Sequence, residues 1–347
     1  MTYLSLREMK RRSNPDMPER LNSRGITSYF IPMLALLFLL ILSNCSSDSK
    51  PTPSWEWGAS SEFGKLPRWS PDGSRIVFGD DRLGSAGIYI WDTTSDPIRV
   101  VNSLHNWDYR WSPDGAWICW TTATAPQDTT SGLWIMNLES REAIRLHHTG
   151  RDPSWKHDGS SVIFRLDQGL DSDPGIYEVS VESNKLRFIT SGYKPYASPS
   201  GEYIAFTDSE IRGFLKIGHT EGPYTTLESI GASQWEWAQN APMLSLIIND
   251  DSGALIKGML WKVVFLNESD VRSDTLAGWC ANPSINGDGS KISFQRTSGA
   301  AWAGVWIYEE GKESRVSMTG RNPNFHPSRD IIAINDVDGG IRILRKG

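Results

Sequence analysis

A turn-forming segment that returns at nearly constant spacing limits this chain more than any other feature. "RWSPDGSRIVF" (68–78) is echoed 42 residues later by "RWSPDGAWICW" (110–120). With Pro71 as origin, the equivalent positions are Pro113, His157, Pro199, Gln239, Gly287 and Pro327, spaced by 40 to 48 residues. Five and seven residues past each origin stands an apolar pair, from Ile76 and Phe78 to Ile332 and Ile334. That period of two marks a strand with one buried face. A glycine then precedes a second apolar run in every repeat ("GIYIW", "GLWIM", "GIYEV"), and six of the seven repeats close with a further extended run. Four-stranded units with this period are the blades of a β-propeller. The expected fold is therefore all-β, a seven-bladed β-propeller of four-stranded antiparallel blades spanning residues 55–347. The seventh repeat lacks its fourth strand, while residues 53–65 precede the first repeat without a blade of their own. The N-terminal strand is expected to complete the last blade and cover its open edge.

The segment Ser-Pro-Asp-Gly has the chemistry of a tight turn: Pro presets φ, Asp bonds nearby amides and Gly takes a positive φ. It joins the innermost strand of a blade to the second. The aromatic residue two before each origin (Trp69, Trp111, Trp155, Trp237, Phe325) is replaced by Ala197 and Ile285 in the other two repeats. Such rings are expected to pack between blades, where burying about 200 Å² contributes up to ~5 kcal/mol.

These repeats, "RWSPDGSRIVF", "RWSPDGAWICW" and "PSWKHDGSSVIF", each followed by "GIYIWD", "GLWIMNL" or "GIYEVS", resemble the WD-repeat-like propeller repeats of the TolB family, periplasmic partners in the Tol–Pal system. The likeness runs over residues 60–347. It implies the propeller fold and says less of function, because similar repeats occur in peptidase propellers and lyases. The chain departs from TolB in having seven expected blades instead of six and no recognisable N-terminal α/β domain.

Residues 1–44 read as a lipoprotein-type signal peptide: a basic start with Arg7, Lys10, Arg11, Arg12, Arg20 and Arg24, then the apolar "IPMLALLFLLIL" (31–42). That run is shorter than the ~20 residues needed to span a bilayer. "LSNC" (42–45) resembles a lipobox, which makes Cys45 the expected lipidated residue and residues 45–54 a polar tether. The expected location is the bacterial envelope, lipid-anchored and most simply at the outer membrane, with membrane contact through the anchor only. Removing six basic and three acidic residues takes the formal charge from −6 to −9. An acidic chain of this kind lacks the clustered cations that nucleic-acid binding requires. Cys119 and Cys280, 161 residues apart in different repeats, are expected to be buried thiols.

Ligands of propellers meet the face where blade-to-blade loops converge on the axial channel. Those loops place Trp107, Tyr109, Arg110, Arg151, Tyr193, Lys194, Trp235, Trp279 and Arg321 as candidate binding residues, of the types that dominate binding hot spots. Acids after the second strands (Asp80, Asp81, Asp167, Asp208, Asp250, Asp251, Asp336, Asp338) are expected to be turn formers. "NDVDGG" (335–340) lacks the ligand pattern of a calcium loop. No catalytic motif is present, and no metal or cofactor is expected. The leading expectation is a monomeric, non-enzymatic scaffold that recognises a protein, peptide or glycan of the envelope. The alternative is a carbohydrate-active lyase or hydrolase using His105, His147 and Arg151 at the channel mouth.

Overall fold

The computed structural model describes residues 54–347 other than 103–105, 123–130, 168–172, 211–212, 250–257, 268–269 and 297–302. Strand β1 (Trp55–Ser61) comes first. Blade one is β2 (Lys65–Trp69), β3 (Ile76–Asp80), β4 (Gly87–Trp91) and β5 (Ile98–Val101). Blade two is β6 (Asn106–Trp111), β7 (Trp117–Thr122), β8 (Gly132–Asn137) and β9 (Ala143–His147). Blade three is β10 (Arg151–Trp155), β11 (Ser161–Leu166), β12 (Gly175–Ser180) and β13 (Leu186–Thr190). Blade four opens with β14 (Tyr193–Ala197), β15 (Tyr203–Thr207) and β16 (Phe214–His219). The long β17 (Tyr224–Trp237) then serves two blades, and blade five continues with β18 (Met243–Asn249), β19 (Gly258–Asn267) and β20 (Asp270–Gly278). Blade six is β21 (Cys280–Ile285), β22 (Lys291–Arg296), β23 (Gly304–Glu309) and β24 (Lys312–Ser317). Blade seven has β25 (Arg321–Phe325), β26 (Ile331–Asn335) and β27 (Ile341–Lys346).

Every ladder is antiparallel, and the last sheet has the order β1-β27-β26-β25, with Trp55 opposite Lys346 and Ser61 opposite Ile341. The N-terminal strand therefore supplies the missing fourth strand. The expected seven-bladed, all-β architecture stands. One detail differs from the sequence reading: no loop separates blades four and five. β17 pairs with β16 as far as Gly231 and with β18 from Ala232 onward, so "IGASQW" is strand throughout.

Second and third strands are apolar on both sides because each blade is sandwiched between two others. Ile76, Phe78, Ile118, Val162, Phe164, Ile204, Leu244, Leu246, Phe294 and Ile332 are buried almost completely. One core, for example, interleaves Leu133 and Ile135 of blade two with Val162, Phe164 and Tyr177 of blade three. Cys119 and Cys280 are free, buried thiols. Burial pushes both up to about 12, which leaves them neutral packing groups.

The aromatics two before each origin lie between blades as expected. Trp111 Nε1 donates to the Arg68 carbonyl at 3.0 Å and Trp237 Nε1 to the Tyr196 carbonyl at 3.1 Å, each clasping the preceding blade. In the first turn Gly73 has a φ of 72°, and His326 from blade seven packs directly over it. His326 Nε2 lies 3.0 Å from the Gly73 carbonyl, so the turn glycine also carries the joint between the last and first blades.

Candidate functional site

The innermost strands run around the axis, and each starts with the same irregularity. In six blades the residue five before the origin is left-handed: Leu66, Asp108, Asp152, Lys194, Asn282 and Asn322 have φ between 46° and 56°. Ladder register slips at these places, for example between Arg151 and Ser154 and between Arg321 and Asn324. The resulting β-bulge lifts one residue off the ladder and turns the strand's start toward the axis. Asp and Asn tolerate this conformation better than other non-glycine residues, and the proline that follows in five blades needs no ladder partner at a bulge.

Two positions further along stand Arg68, Arg110, Ser154, Tyr196, Glu236, Ser284 and Asn324, of which Arg68, Arg110, Tyr196, Glu236 and Asn324 stand between two cavities of the channel. The short side chains stitch blades together. Ser154 Oγ accepts from the Ala197 N–H at 2.9 Å, Ser284 Oγ from the Phe325 N–H at 3.0 Å, and Asn324 Oδ1 from the Trp69 N–H at 2.8 Å. The long ones fill the waist. Arg68 and Glu236 approach to 3.6 Å, and the Arg110 guanidinium lies 5.5 Å from the centre of the Tyr196 ring.

Above this waist, where the inner strands begin, is a cavity of about 320 Å³ lined by the ring of bulge residues together with Arg68, Arg110, Tyr196, Trp235 and Glu236. Below it is a second cavity of about 360 Å³, walled by Trp69, Trp111, Trp155, Trp237 and Phe325 and rimmed by the turns.

The upper cavity has two chemically distinct sides. On the side of blades five to seven, amides are locked to each other. Gln234 and Asn282 exchange two hydrogen bonds of 2.7 and 2.9 Å, and Asn335 Oδ1 accepts from Asn322 Nδ2 and from the Leu66 N–H. On the side of blades two to four stand four charges, Asp108, Arg110, Asp152 and Lys194, none of them in an ion pair among the described residues. Arg110 donates to the carbonyl of Tyr109 at 3.1 Å, its Nε is buried without a partner, and Lys194 reaches only the Ser233 carbonyl at 3.4 Å. Burial, reinforced by the charge of Asp108, raises the Asp152 carboxyl to about 6, although Arg110, Lys194 and Arg151 pull the other way. A carboxyl poised near neutrality in a polar cavity is a functional candidate on physical grounds.

Of the nine expected binding residues, Arg110, Lys194 and Trp235 line this cavity, on β6, β14 and β17. Tyr109 is placed differently. It is buried between blades one and two, where its single O–H proton is shared between the Lys65 and Leu66 carbonyls (2.7 and 2.8 Å) and its oxygen accepts from the Gly79 N–H at 2.9 Å. Arg151 is exposed and paired with Asp167 at 2.9 Å, Tyr193 stacks under Arg165 at 4.2 Å, and Arg321 begins β25 exposed. Trp279 lies between β20 and β21 at a φ of 62°, 43% exposed. Trp107 is on β6 and its side chain lies outside the described residues, as do Cys45, His105, Asp250 and Asp251. Most of these residues belong to the inner strands and not to loops, because the strands begin earlier than the turn motif suggests.

His147 ends β9, the outermost strand of blade two, with Nδ1 within 2.8 Å of the Thr149 carbonyl and its ring against Phe164. The acids after the second strands serve local structure: Asp80 binds Arg82, Asp336 binds Arg342 at 2.6 Å, and Asp208 caps the Phe214 N–H at 2.8 Å. Among the described residues no group of three or more His, Cys, Asp or Glu is placed to hold a metal ion.

Asp108, Asp152, Gln234, Glu236, Asn282 and Asn322 were not among the expected site residues. Apart from Glu236, which stands three before its origin, their signal is the residue five before each origin: "KLPR", "WDYR", "RDPS", "YKPY", "SQWE", "ANPS" and "RNPN" put Leu, Asp, Asp, Lys, Gln, Asn and Asn there, five times before proline.

Residues 66–245 match the family model described as TolB beta propeller domain. Among curated proteins, the Tol-Pal system protein TolB of Francisella tularensis is 28% identical over 156 residues, covering 42% of this chain and 35% of that protein. The chain thus matches about a third of that relative's length. Among solved structures, an oligogalacturonate lyase of Vibrio parahaemolyticus superposes with a TM-score of 0.62 at 12% identity, over 85% of this chain and 97% of the lyase. The β-propeller domain of Cps50 (Swd1) from Myceliophteria thermophila superposes equally well, with a TM-score of 0.60 at 12% identity over 84% of this chain and 99% of that one. Two proteins with such different names fit alike, so these likenesses speak to fold alone.

Proposed function

The chain belongs to the TolB β-propeller domain family, and from that premise we propose that it is a non-enzymatic binding module of the cell envelope, recognising a protein, peptide or glycan at the face where the inner strands begin. The observation that carries this reading is the upper cavity, whose ring of bulge residues brings one side chain from every blade to a common mouth. A ring fixed by seven rigid strands holds its groups in place before a ligand arrives, which favours recognition. Trp235 at the wall and Trp279 outside the cavity offer aromatic surface of the kind that anchors partners. Export by the signal of residues 1–44 and lipidation at Cys45 complete the proposal, with the propeller tethered to the membrane by lipid.

The test is affinity capture from an envelope extract with the wild-type chain and with Lys194→Glu and Trp235→Ala variants. A partner retained by the first and lost by the variants supports the reading; a partner retained equally by all three places recognition elsewhere. Mass spectrometry of the membrane fraction reads lipidation at Cys45 directly.

A carbohydrate-active enzyme remains the second reading, now on a different residue. His147 lies on an outer strand, whereas Asp152, raised to about 6 beside Arg110 and Lys194, has the character of a general base. Turnover of an envelope oligosaccharide that Asp152→Asn abolishes would favour it.

A further inference from the structure

We propose that the upper cavity binds a compact zwitterion, an ammonium and a carboxylate carried on one small molecule such as an α-amino acid or a dipeptide, between the acids Asp108 and Asp152 and the bases Arg110 and Lys194. This inference rests on the reading of that cavity as a binding site and names the chemistry of its ligand.

Three consecutive blades each contribute to the cavity from the same stretch of inner strand, two acids and two bases in all, and none of the four has an ion-pair partner among the described residues. Arg68 and Glu236, only slightly deeper, do pair with each other. The geometry of this channel therefore permits pairing and withholds it from the four above. Half-buried charges held near one another without ion pairs are costly, and a site that offers both signs in one cavity is complementary to a ligand that carries both. The opposite side of the cavity, where Gln234 and Asn282 satisfy one another, presents closed polar groups that do not compete for the ligand's charges. A volume of about 320 Å³ is at the small end of ligand cavities, which run from roughly 300 to 1,000 Å³. It suits a small molecule and excludes a folded segment.

The two acids hold the ammonium and the two bases the carboxylate. Asp152 takes part only when ionised, and the groups facing it are Asp108 and Arg110 on β6, Arg151 on its own strand and Lys194 on β14. Because its carboxyl sits near 6, affinity for the ammonium falls as the pH drops through that value.

Isothermal titration of the full chain with glycylglycine, N-acetylglycine and methylamine tests this. The expected result is that glycylglycine binds at least tenfold more tightly than either single-charge probe, that Asp152→Asn and Lys194→Met each weaken it tenfold or more, and that binding weakens between pH 7.5 and 5. Asparagine is native at the equivalent bulge in blades six and seven, so Asp152→Asn keeps the backbone conformation. Should that variant nevertheless fail to fold, Lys194→Met and the wild-type pH series decide the matter. Equal binding of all three probes, no binding of any, or saturation by calcium alone with no response to glycylglycine overturns the proposal. If glycylglycine fails while an envelope partner is still captured through Lys194 and Trp235, this inference falls and the binding-module reading stands; if capture fails too, both fall.

Discussion

Arg68 of blade one and Glu236 of blade five hold an ion pair of 3.6 Å across the axis of the propeller. Their side chains are only 27% and 20% exposed, so the pair joins two distant blades inside a narrow waist. Glu236 also stands near Arg110, which has no ion-pair partner of its own among the described residues.

The two halves of this pair are therefore unequal. Glu236→Gln leaves two guanidinium groups facing each other in the waist and is expected to cost about 1–3 kcal/mol, more than Arg68→Gln, which leaves Glu236 still near Arg110. Urea unfolding of both single variants and the double variant measures this. A double variant less destabilised than Glu236→Gln alone confirms the coupling, and strictly additive losses refute it.

Tyr109 gives a second prediction. Its buried hydroxyl, with one proton shared between two carbonyls and one N–H accepted, fastens blade two to both inner strands of blade one. Tyr109→Phe keeps the ring and removes the partner of part-buried backbone groups, so a loss of about 1 kcal/mol is expected, with binding at the upper cavity unchanged. Thermal unfolding together with partner capture separates the two effects; a stable variant that loses binding would return Tyr109 to the site.

The difference between Tyr109 and Arg110 shows what the chain made legible and what it did not. Repeat spacing, the apolar alternation of the second strands and the turn chemistry all depend on neighbours in sequence, and they determine blade number, strand order and the role of the tryptophans; that both faces of those strands are buried, and not one, follows only from the sandwiching of each blade between two others. Even the pairing of β1 with β27 follows from counting strands. The site depends on which way a side chain points at the start of each inner strand, and there a one-residue bulge intervenes. Alternation alone cannot tell that Tyr109 turns into the blade interface while Arg110 turns to the axis, because the left-handed Asp108 resets the alternation just before them. The same bulge hid Asp152 inside "RDP", which reads as an ordinary turn.

Asp152 also makes a prediction about stability. Its folded value of about 6 lies above the ordinary 3.8, so the folded protein holds that proton more tightly than the unfolded chain does. The sign follows: between about pH 4 and 6 this group's contribution becomes less favourable as pH rises, and above 6 the full cost is present. Asp152→Asn is thus expected to be more stable than wild type by up to about 3 kcal/mol at pH 7.5 and close to it near pH 4. Urea midpoints at the two pH values decide this, and a variant equally or less stable at pH 7.5 contradicts it. A gain in stability from removing a cavity carboxylate is what a site kept for binding predicts.

Closure of the ring provides the last prediction. β1 pairs along β27 from Trp55–Lys346 to Ser61–Ile341, and Ala59 packs into the core shared by blades one and seven. Without β1, the edge of β27 exposes unpaired backbone groups, and Ile341, Ile343 and Leu344 lose cover. Deleting residues 54–61 is therefore expected to do more than remove one strand: the joint between blades seven and one, with its His326–Gly73 contact, loses its outer support. The expected outcome is a lower unfolding midpoint, faster exchange of the β26 and β27 amides than of blade-three amides, and association through the open edge at micromolar concentration. Hydrogen exchange with light scattering checks this. Uniform protection across all blades in the truncated chain would mean that inner-strand contacts alone close the ring.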